Sequence, residues 1–143
     1  MTPVFFTDRD LGKQFPAILR AAGLKVERHA DHFKHDCPDE DWLQEIGRCG
    51  WIAVTHDQRI RYKPNELAAV TQHRVPLLVV VGHAPYGQLA QGFIATYPRI
   101  QKFIEERRPP YIAKVYRPST SDLAANPAAP GRVELWYPPR TIE

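Results

Sequence analysis

Two short apolar stretches that each end in acidic residues constrain this sequence more than any other feature. The first is Val4–Thr7, which is followed by Asp8 and Asp10. The second covers residues 51–55 and is followed by Asp57. Buried strands of parallel sheets are short and apolar, and ligands of open α/β sheets bind at the carboxyl ends of their strands. The pattern therefore predicts a mostly parallel sheet with carboxylates at one edge.

Helical patterns alternate with the predicted strands. Residues 13–22 place apolar side chains at i, i+3, i+4 and i+7, which is one face of a helix, and residues 24–29 alternate like a strand. A second helix starts at Pro38, before the strand at 51–55. Further along the chain, we predict a helix over 65–73, a central strand over Pro76–Val81, and helices over 88–97 and 99–107 that are interrupted near Pro98.

The character of the chain changes after two consecutive prolines, Pro109 and Pro110. Tyr111–Tyr116 and Arg132–Tyr137 have strand-like patterns, and the segment between them is rich in Pro, Ala and Ser, which predicts a long, mobile loop. We therefore predict an α/β domain over residues 1–108 and a C-terminal β-hairpin extension over residues 109–143, packed on the same domain. No internal repeat is visible.

Composition limits the function classes. The net charge of +3 and the pI of about 9.0 give weak support for a polyanionic partner. The two cysteines form no disulfide framework. The N-terminus lacks the basic start and apolar run of a signal peptide, and the longest apolar run, residues 75–81, is too short to span a membrane. These features predict a cytoplasmic protein with no membrane partner. Phosphate-binding glycine loops and the Gly-x-Ser-x-Gly nucleophile motif are absent.

The acids offer a place for a metal ion. Asp39, Glu40 and Asp41 open the second predicted helix, whose amino end lies at the same sheet edge as Asp8 and Asp57. Converging carboxylates repel unless a cation joins them, and hard divalent ions such as Mg²⁺ take oxygen ligands. Such a site can activate water for attack on a phosphate. The alternative is structural, with the helix acids complementing the helix dipole and the strand acid capping a turn.

Basic residues flank this edge. Beside an acidic metal site they would bind the phosphates on either side of the scissile one. Alone, they are more consistent with a solvated turn. The four candidates are Lys13, Arg59, Arg61 and Lys63.

Two other groups of residues have a functional and a structural interpretation. The spacing of His29, His32, His35 and Cys37 matches no closed zinc site, so a polar loop with one histidine lining the groove is favoured. Four aromatic residues of the C-terminal strands are candidates for stacking on bases, although packing of the hairpin explains them better. These residues are Tyr111, Tyr116, Trp136 and Tyr137.

Three segments together resemble the PIN-like nuclease superfamily, and within it the compact branch of VapC-type toxins from bacterial toxin–antitoxin operons. They are residues 5–12 (Phe-Phe-Thr-Asp-Arg-Asp-Leu-Gly), 38–43 (Pro-Asp-Glu-Asp-Trp-Leu) and 54–60 (Val-Thr-His-Asp-Gln-Arg-Ile). The shared pattern is a strand followed by Asp, a helix opening with an acid, and a strand ending in Thr-x-Asp. It covers residues 4–81 well, and the two C-terminal strands also resemble the tail of that branch.

The resemblance implies a three-layer PIN-like fold and a Mg²⁺- or Mn²⁺-dependent endoribonuclease. It places the metal and catalytic acids at Asp8, Asp39 (with Glu40 and Asp41 as competitors) and Asp57. A fourth family acid has no counterpart, because residues 75–87 contain no Asp or Glu. Either Asp10 supplies the extra oxygen or only one metal binds tightly. The partners implied are RNA and a cognate antitoxin protein, with a homodimer as an optional assembly.

Two other hypotheses compete with the nuclease. One is a catalytically silent PIN-like module that binds RNA or protein, which would show no affinity for Mg²⁺ or Mn²⁺. The other is a haloacid-dehalogenase-type phosphatase, which the Asp8-Arg9-Asp10 sequence also resembles. That class needs a later acidic pair on another strand, and no acidic pair follows Val81 at a strand end. The phosphatase therefore ranks last.

Overall fold

A computed structural model describes residues 2–139, which form one six-stranded sheet in the order β2-β1-β3-β4-β5-β6. The first five strands run parallel, and β6 pairs antiparallel with β5. The predicted α/β class with a mostly parallel sheet and a C-terminal strand pair is confirmed. The division at residue 108 stays a prediction. The strands are β1 Val4–Thr7, β2 Lys25–Arg28, β3 Ile52–Thr55, β4 Pro76–Val81, β5 Tyr111–Tyr116 and β6 Arg132–Tyr137.

Helices cover both faces of the sheet and make three layers. Successive side chains of a strand point to opposite faces, so Phe5 and Phe6 of β1 belong to different apolar cores. The Phe5 core packs under α1 and α5, and the Phe6 core packs under α3 and α4. The helices are α1 Gln14–Ala21, α2 His29–His32, α3 Asp39–Cys49, α4 Pro64–Gln72, α5 Tyr86–Glu106 and α6 Thr120–Ala125. Among the described residues, no helix combines the length and apolarity needed to cross a membrane.

The segment predicted as a polar histidine loop begins instead with the short helix α2. His29 is 3% exposed and packs edge-on against Trp42 at 5.8 Å between ring centroids. Arg9 fixes both ends of the turn, because its Nε donates to His29 Nδ1 at 2.9 Å and its guanidinium also donates to the carbonyl of Phe33 at 2.7 Å. The loop prediction was wrong here because this anchoring comes from a distant arginine, which local sequence does not show.

Helix α5 continues through Pro98, where the sequence predicted an interruption. A proline inside a helix removes one backbone hydrogen bond and favours a kink. Buried side chains lie on both sides of it, with Phe93 1% exposed and Ile100 fully buried in the same core. Packing of both halves on one face of the sheet therefore holds the two segments in one helix.

The connection between β5 and β6 contains α6, where the sequence predicted only a mobile loop. Ser119 caps this helix, because its hydroxyl accepts from the Asp122 amide at 3.0 Å and the Asp122 carboxylate accepts from the Ser119 amide at 3.2 Å. This reciprocal pair is a capping box. The segment predicted as a loop from its Pro, Ala and Ser content therefore contains a capping box, Ser119 with Asp122, that starts a helix.

The order of the strands decides where a ligand would bind. The chain crosses from β1 to β2 on one side and then returns to place β3 on the other side of β1. In open α/β sheets the crevice at such a reversal, outside the carboxyl ends of the strands, is the ligand site. Here the reversal lies between β1 and β3, which are the two strands that end in acids.

Candidate active site

Asp8 and Asp10 meet at the hydroxyl of Thr55, in the crevice between β1 and β3. The Thr55 hydroxyl lies 2.9 Å from Asp8 Oδ2 and 3.0 Å from Asp10 Oδ2. Thr55 is fully buried, and the backbone amide of Asp57 donates to the same hydroxyl at 3.1 Å. A hydroxyl carries one proton, so it cannot donate fully to both carboxylates. One of the two carboxylate oxygens that face Thr55 is therefore left without that proton, and a cation bound between the acids would supply positive charge there.

Backbone amides complete the support of these two acids. The amide of Arg9 donates to Asp8 Oδ1 at 2.7 Å. The amide of His56 lies 3.1 Å from both carboxylate oxygens of Asp10. The ring of His56 is fixed in turn, with Nε2 2.9 Å from the carbonyl oxygen of Gly82 after β4. The ends of three neighbouring strands are thus joined around the acids.

Electrostatics show that the acids act on one another. Burial, followed by the charge of Asp10, raises the pKa of Asp8 to about 7, and the charge of Asp39 adds to the rise. Burial also raises the pKa of Asp10, with the charge of Asp57 contributing in the same direction. The desolvated carboxylates thus sit in a negative field. A divalent cation bound there would relieve both the burial and the repulsion.

Asp57 lies at this edge with both carboxylate oxygens engaged. Oδ1 accepts from the Arg59 amide at 2.9 Å, and Oδ2 accepts from Lys63 Nζ at 2.5 Å. This contact raises the pKa of Lys63. The turn-capping role considered as an alternative for Asp57 is therefore present, and its carboxylate would have to exchange Lys63 for a metal ion in order to act as a ligand.

The three acids that open α3 face different surroundings. Asp39 Oδ1 accepts from the indole Nε1 of Trp42 at 2.9 Å, and its charge reaches Asp8. Glu40 and Asp41 instead line a groove between α3 and α4. Of the three candidates, Asp39 is thus the one turned toward the crevice. Among residues 2–139, no group of three or more Asp, Glu, His or Cys side chains is assembled for a metal ion.

The predicted basic residues divide into two groups. Lys13 is exposed and lines a cavity of about 200 Å³ beside Asp8, together with Arg9 and His29. Arg59 is also exposed. Lys63 is paired with Asp57, as described above, and the Arg61 guanidinium lies among aromatic rings, 5.5 Å from that of Tyr62. Lys13 and Arg59 are exposed and are therefore the better placed of the four to bind a phosphate.

Arg117 is a candidate residue that the sequence reasoning missed. It directly follows β5, so it lies at the same sheet edge as the acids. A Cβ atom at Gly92 would lie 2.8 Å from Arg117 Cγ, and one at Gly82 would lie 3.3 Å from Arg117 Nε. The two glycines therefore make room for this side chain beside the end of β4. Its position one residue after a strand, like that of Asp8, was the available signal.

Comparison with known proteins agrees with this geometry. A protein-family model described as a PIN like domain matches residues 3–82, which is more than half of the 143-residue chain. The matched residues include Asp8, Asp39 and Asp57 and the reversal of strand order between β1 and β3. No curated protein and no solved structure gives a significant match.

Proposed function

The chain belongs to the PIN-like domain family, which has a nuclease-type fold, and on that premise we propose that it is a Mg²⁺- or Mn²⁺-dependent endoribonuclease. The observation that carries this proposal is the pair of partly buried carboxylates, Asp8 and Asp10, which share the single hydroxyl proton of Thr55 at the strand-order reversal. Oxygen donors in a negative field are the ligands that hard divalent ions take.

Asp8 and Asp10 would hold the ion, with Asp39 and Asp57 as the remaining carboxylate ligands. When bound, a divalent ion supplies charge neutralisation at the phosphate and a lower pKa for the attacking water. The chain itself positions the acids through the His56 amide and the Thr55 hydroxyl. Lys13 and Arg59 would bind phosphates on either side of the scissile bond. Attack by water adds its oxygen to phosphorus and releases one ribose oxygen as a hydroxyl.

The test is cleavage of single-stranded RNA by the purified protein, with Mg²⁺ or Mn²⁺ and with a chelator. We expect cleavage only with the metal, and a fall of at least about 100-fold in rate for Asp8→Asn and Asp57→Asn. Asp36→Asn removes an exposed carboxylate from a loop and is the matched control. Equal cleavage by Asp8→Asn and the parent would overturn the proposed mechanism.

We further propose that this activity is that of the toxin in a VapC-type toxin–antitoxin pair, acting on RNA in the cytoplasm. The support is the motif order of Asp8, the helix acid Asp39 and the Thr55-x-Asp57 strand end. Induced expression should arrest bacterial growth, and Asp8→Asn should remove the arrest at equal protein level. Growth arrest by the Asn variant would separate toxicity from the nuclease site and contradict this role.

A second candidate is a PIN-like module that binds RNA or protein without cleaving. The observation that favours it is the engagement of two acids by the protein itself, Asp57 by Lys63 and Asp39 by Trp42. This candidate predicts no shift in thermal unfolding when Mn²⁺ is added. The nuclease predicts stabilisation that depends on Mn²⁺ concentration and disappears in Asp8→Asn.

A further inference from the structure

The α3/α4 side of β5 and β6 presents a polar and aromatic surface. On β5, Ile112 belongs to the core under α3 and α4. Lys114 and Tyr116 follow it at two-residue spacing on the same side, and both keep partial exposure. On β6, Arg132 is exposed and Trp136 is partly buried against the same core. We call Lys114, Tyr116, Arg132 and Trp136 the β5–β6 face.

Cations and aromatic rings alternate on the β5–β6 face. Lys114 Nζ lies 4.1 Å from the centroid of the Trp136 ring. The Arg132 guanidinium lies 4.2 Å from that of Tyr116. One acid, Glu134, is 3.6 Å from Arg132. The face thus presents two aromatic rings, each covered by a cationic side chain, and the side chains of the face together carry a net positive charge.

The loop after β3 extends this face toward the carboxylates. Tyr62 is 68% exposed and meets Trp136 edge to face at 5.7 Å. The Arg61 guanidinium lies 5.8 Å from the Trp136 ring and 5.9 Å from the Tyr137 ring. Arg61 Nε is buried and has no hydrogen-bond partner within the part of the chain that the structure describes.

The extension is continuous with the candidate active site. Lys63 follows Tyr62 directly, and its Nζ contacts Asp57 Oδ2 at 2.5 Å. Lys63 thus connects Tyr62 to one of the candidate acids, Asp57. An exposed aromatic ring beside a row of cationic side chains is an arrangement that binds single-stranded nucleic acid. Any base can stack on the ring, and the cations attract the phosphates.

We propose that the β5–β6 face, with Arg61 and Tyr62, is a binding platform for single-stranded RNA that feeds the candidate active site. This proposal rests on the proposed function, which supplies RNA as the substrate. What it adds is the surface on which the RNA next to the cleaved bond lies. A base stacks on Tyr62, while Arg132 and Lys114 attract phosphates. The platform selects single strands over duplexes, because paired bases do not offer their faces to a side chain.

The test is binding of a fluorescent single-stranded oligoribonucleotide, followed by anisotropy with a chelator so that no cleavage occurs. We expect Tyr62→Ala to weaken binding about tenfold and Tyr62→Phe, which keeps the ring, to bind like the parent. Lys114→Gln combined with Arg132→Gln should lower both the affinity and its dependence on salt. Lys102→Gln, on α5 beside Glu106, is the matched charge control.

The outcomes separate the platform from the nuclease. If the protein cleaves RNA but Tyr62→Ala binds it as tightly as the parent, the platform is wrong and the nuclease stands. If Tyr62→Ala loses affinity while the parent cleaves nothing, the platform stands and the nuclease is wrong. Equal affinity for a duplex and a single strand, or binding of neither, overturns the platform.

Discussion

Asp8 destabilises the folded protein when it is ionised, and replacing it with asparagine should therefore stabilise the fold at neutral and alkaline pH. The pKa of Asp8 rises from 3.8 to about 7 on folding. At about 1.4 kcal/mol per pKa unit, that shift corresponds to about 4 kcal/mol as an upper value. Asparagine has nearly the same shape. Its side-chain oxygen can still accept from the Arg9 amide, and its NH2 group then takes the place of Oδ2 and donates to the Thr55 hydroxyl, whose own proton goes to Asp10.

The sign of the pH dependence follows from proton linkage. Between pH 3.8 and about 7 the folded state binds more protons at Asp8 than the unfolded state, so the parent loses stability as the pH rises through this range. The asparagine variant has no such loss. The stability advantage of Asp8→Asn should be small near pH 4, grow across the range and level off above about pH 7, at about 2–4 kcal/mol.

Urea unfolding of metal-free parent and Asp8→Asn, at about pH 5 and about pH 8, measures this difference. Asp36→Asn controls for the loss of a surface carboxylate. Asp8→Asn should be more stable than the parent at the higher pH, by a larger margin than at the lower pH. A variant less stable than the parent at the higher pH, or a difference that does not change with pH, would refute the account of a partly buried carboxylate held against Asp10.

Two further perturbations test the surroundings of the acids. Gly92→Ala places a methyl group 2.8 Å from Arg117 Cγ and should displace the Arg117 side chain. We therefore expect the rate of RNA cleavage to fall about tenfold, as it should in Arg117→Ala. Normal cleavage by both variants would exclude Arg117 from the site. Trp42→Phe removes the indole N–H that donates to Asp39 and should weaken Mn²⁺ binding about tenfold. The measurement is the dependence of the thermal unfolding temperature on Mn²⁺ concentration. An unchanged dependence would contradict a role for Asp39 in metal binding.

The sequence predicted the sheet well because its strands are short apolar runs ended by turn residues and acids. The approach of Asp8 to the end of β3 was also predictable, since parallel strands bring their carboxyl ends to one edge. The continuity of α5 through Pro98 was not predictable, because it depends on the packing of both halves against the sheet. The helix at His29–His32 was not predictable either, because it depends on Arg9, which lies far away in sequence.

The structure adds how each candidate acid is held. The resemblance implied metal ligands at Asp8, Asp39 (with Glu40 and Asp41 as competitors) and Asp57, with Asp10 as an extra oxygen donor. The structure pairs Asp8 with Asp10 through Thr55 and places Lys63 on Asp57. These pairings depend on side-chain directions at the ends of different strands, and no spacing in the sequence encodes them. For Arg117, the position directly after β5 was available from the sequence, whereas the room that Gly82 and Gly92 leave for its side chain was not.

The measurement that tests the central claim most directly is RNA cleavage by the parent with Mn²⁺ in water enriched in the heavy oxygen isotope, with mass analysis of the fragment ends. Attack of water at phosphorus predicts terminal phosphates that carry one heavy oxygen for each cut, and no fragments with Asp8→Asn or with a chelator. Fragments that end in a cyclic phosphate without heavy oxygen, or the same fragments from Asp8→Asn, would contradict the proposed nuclease.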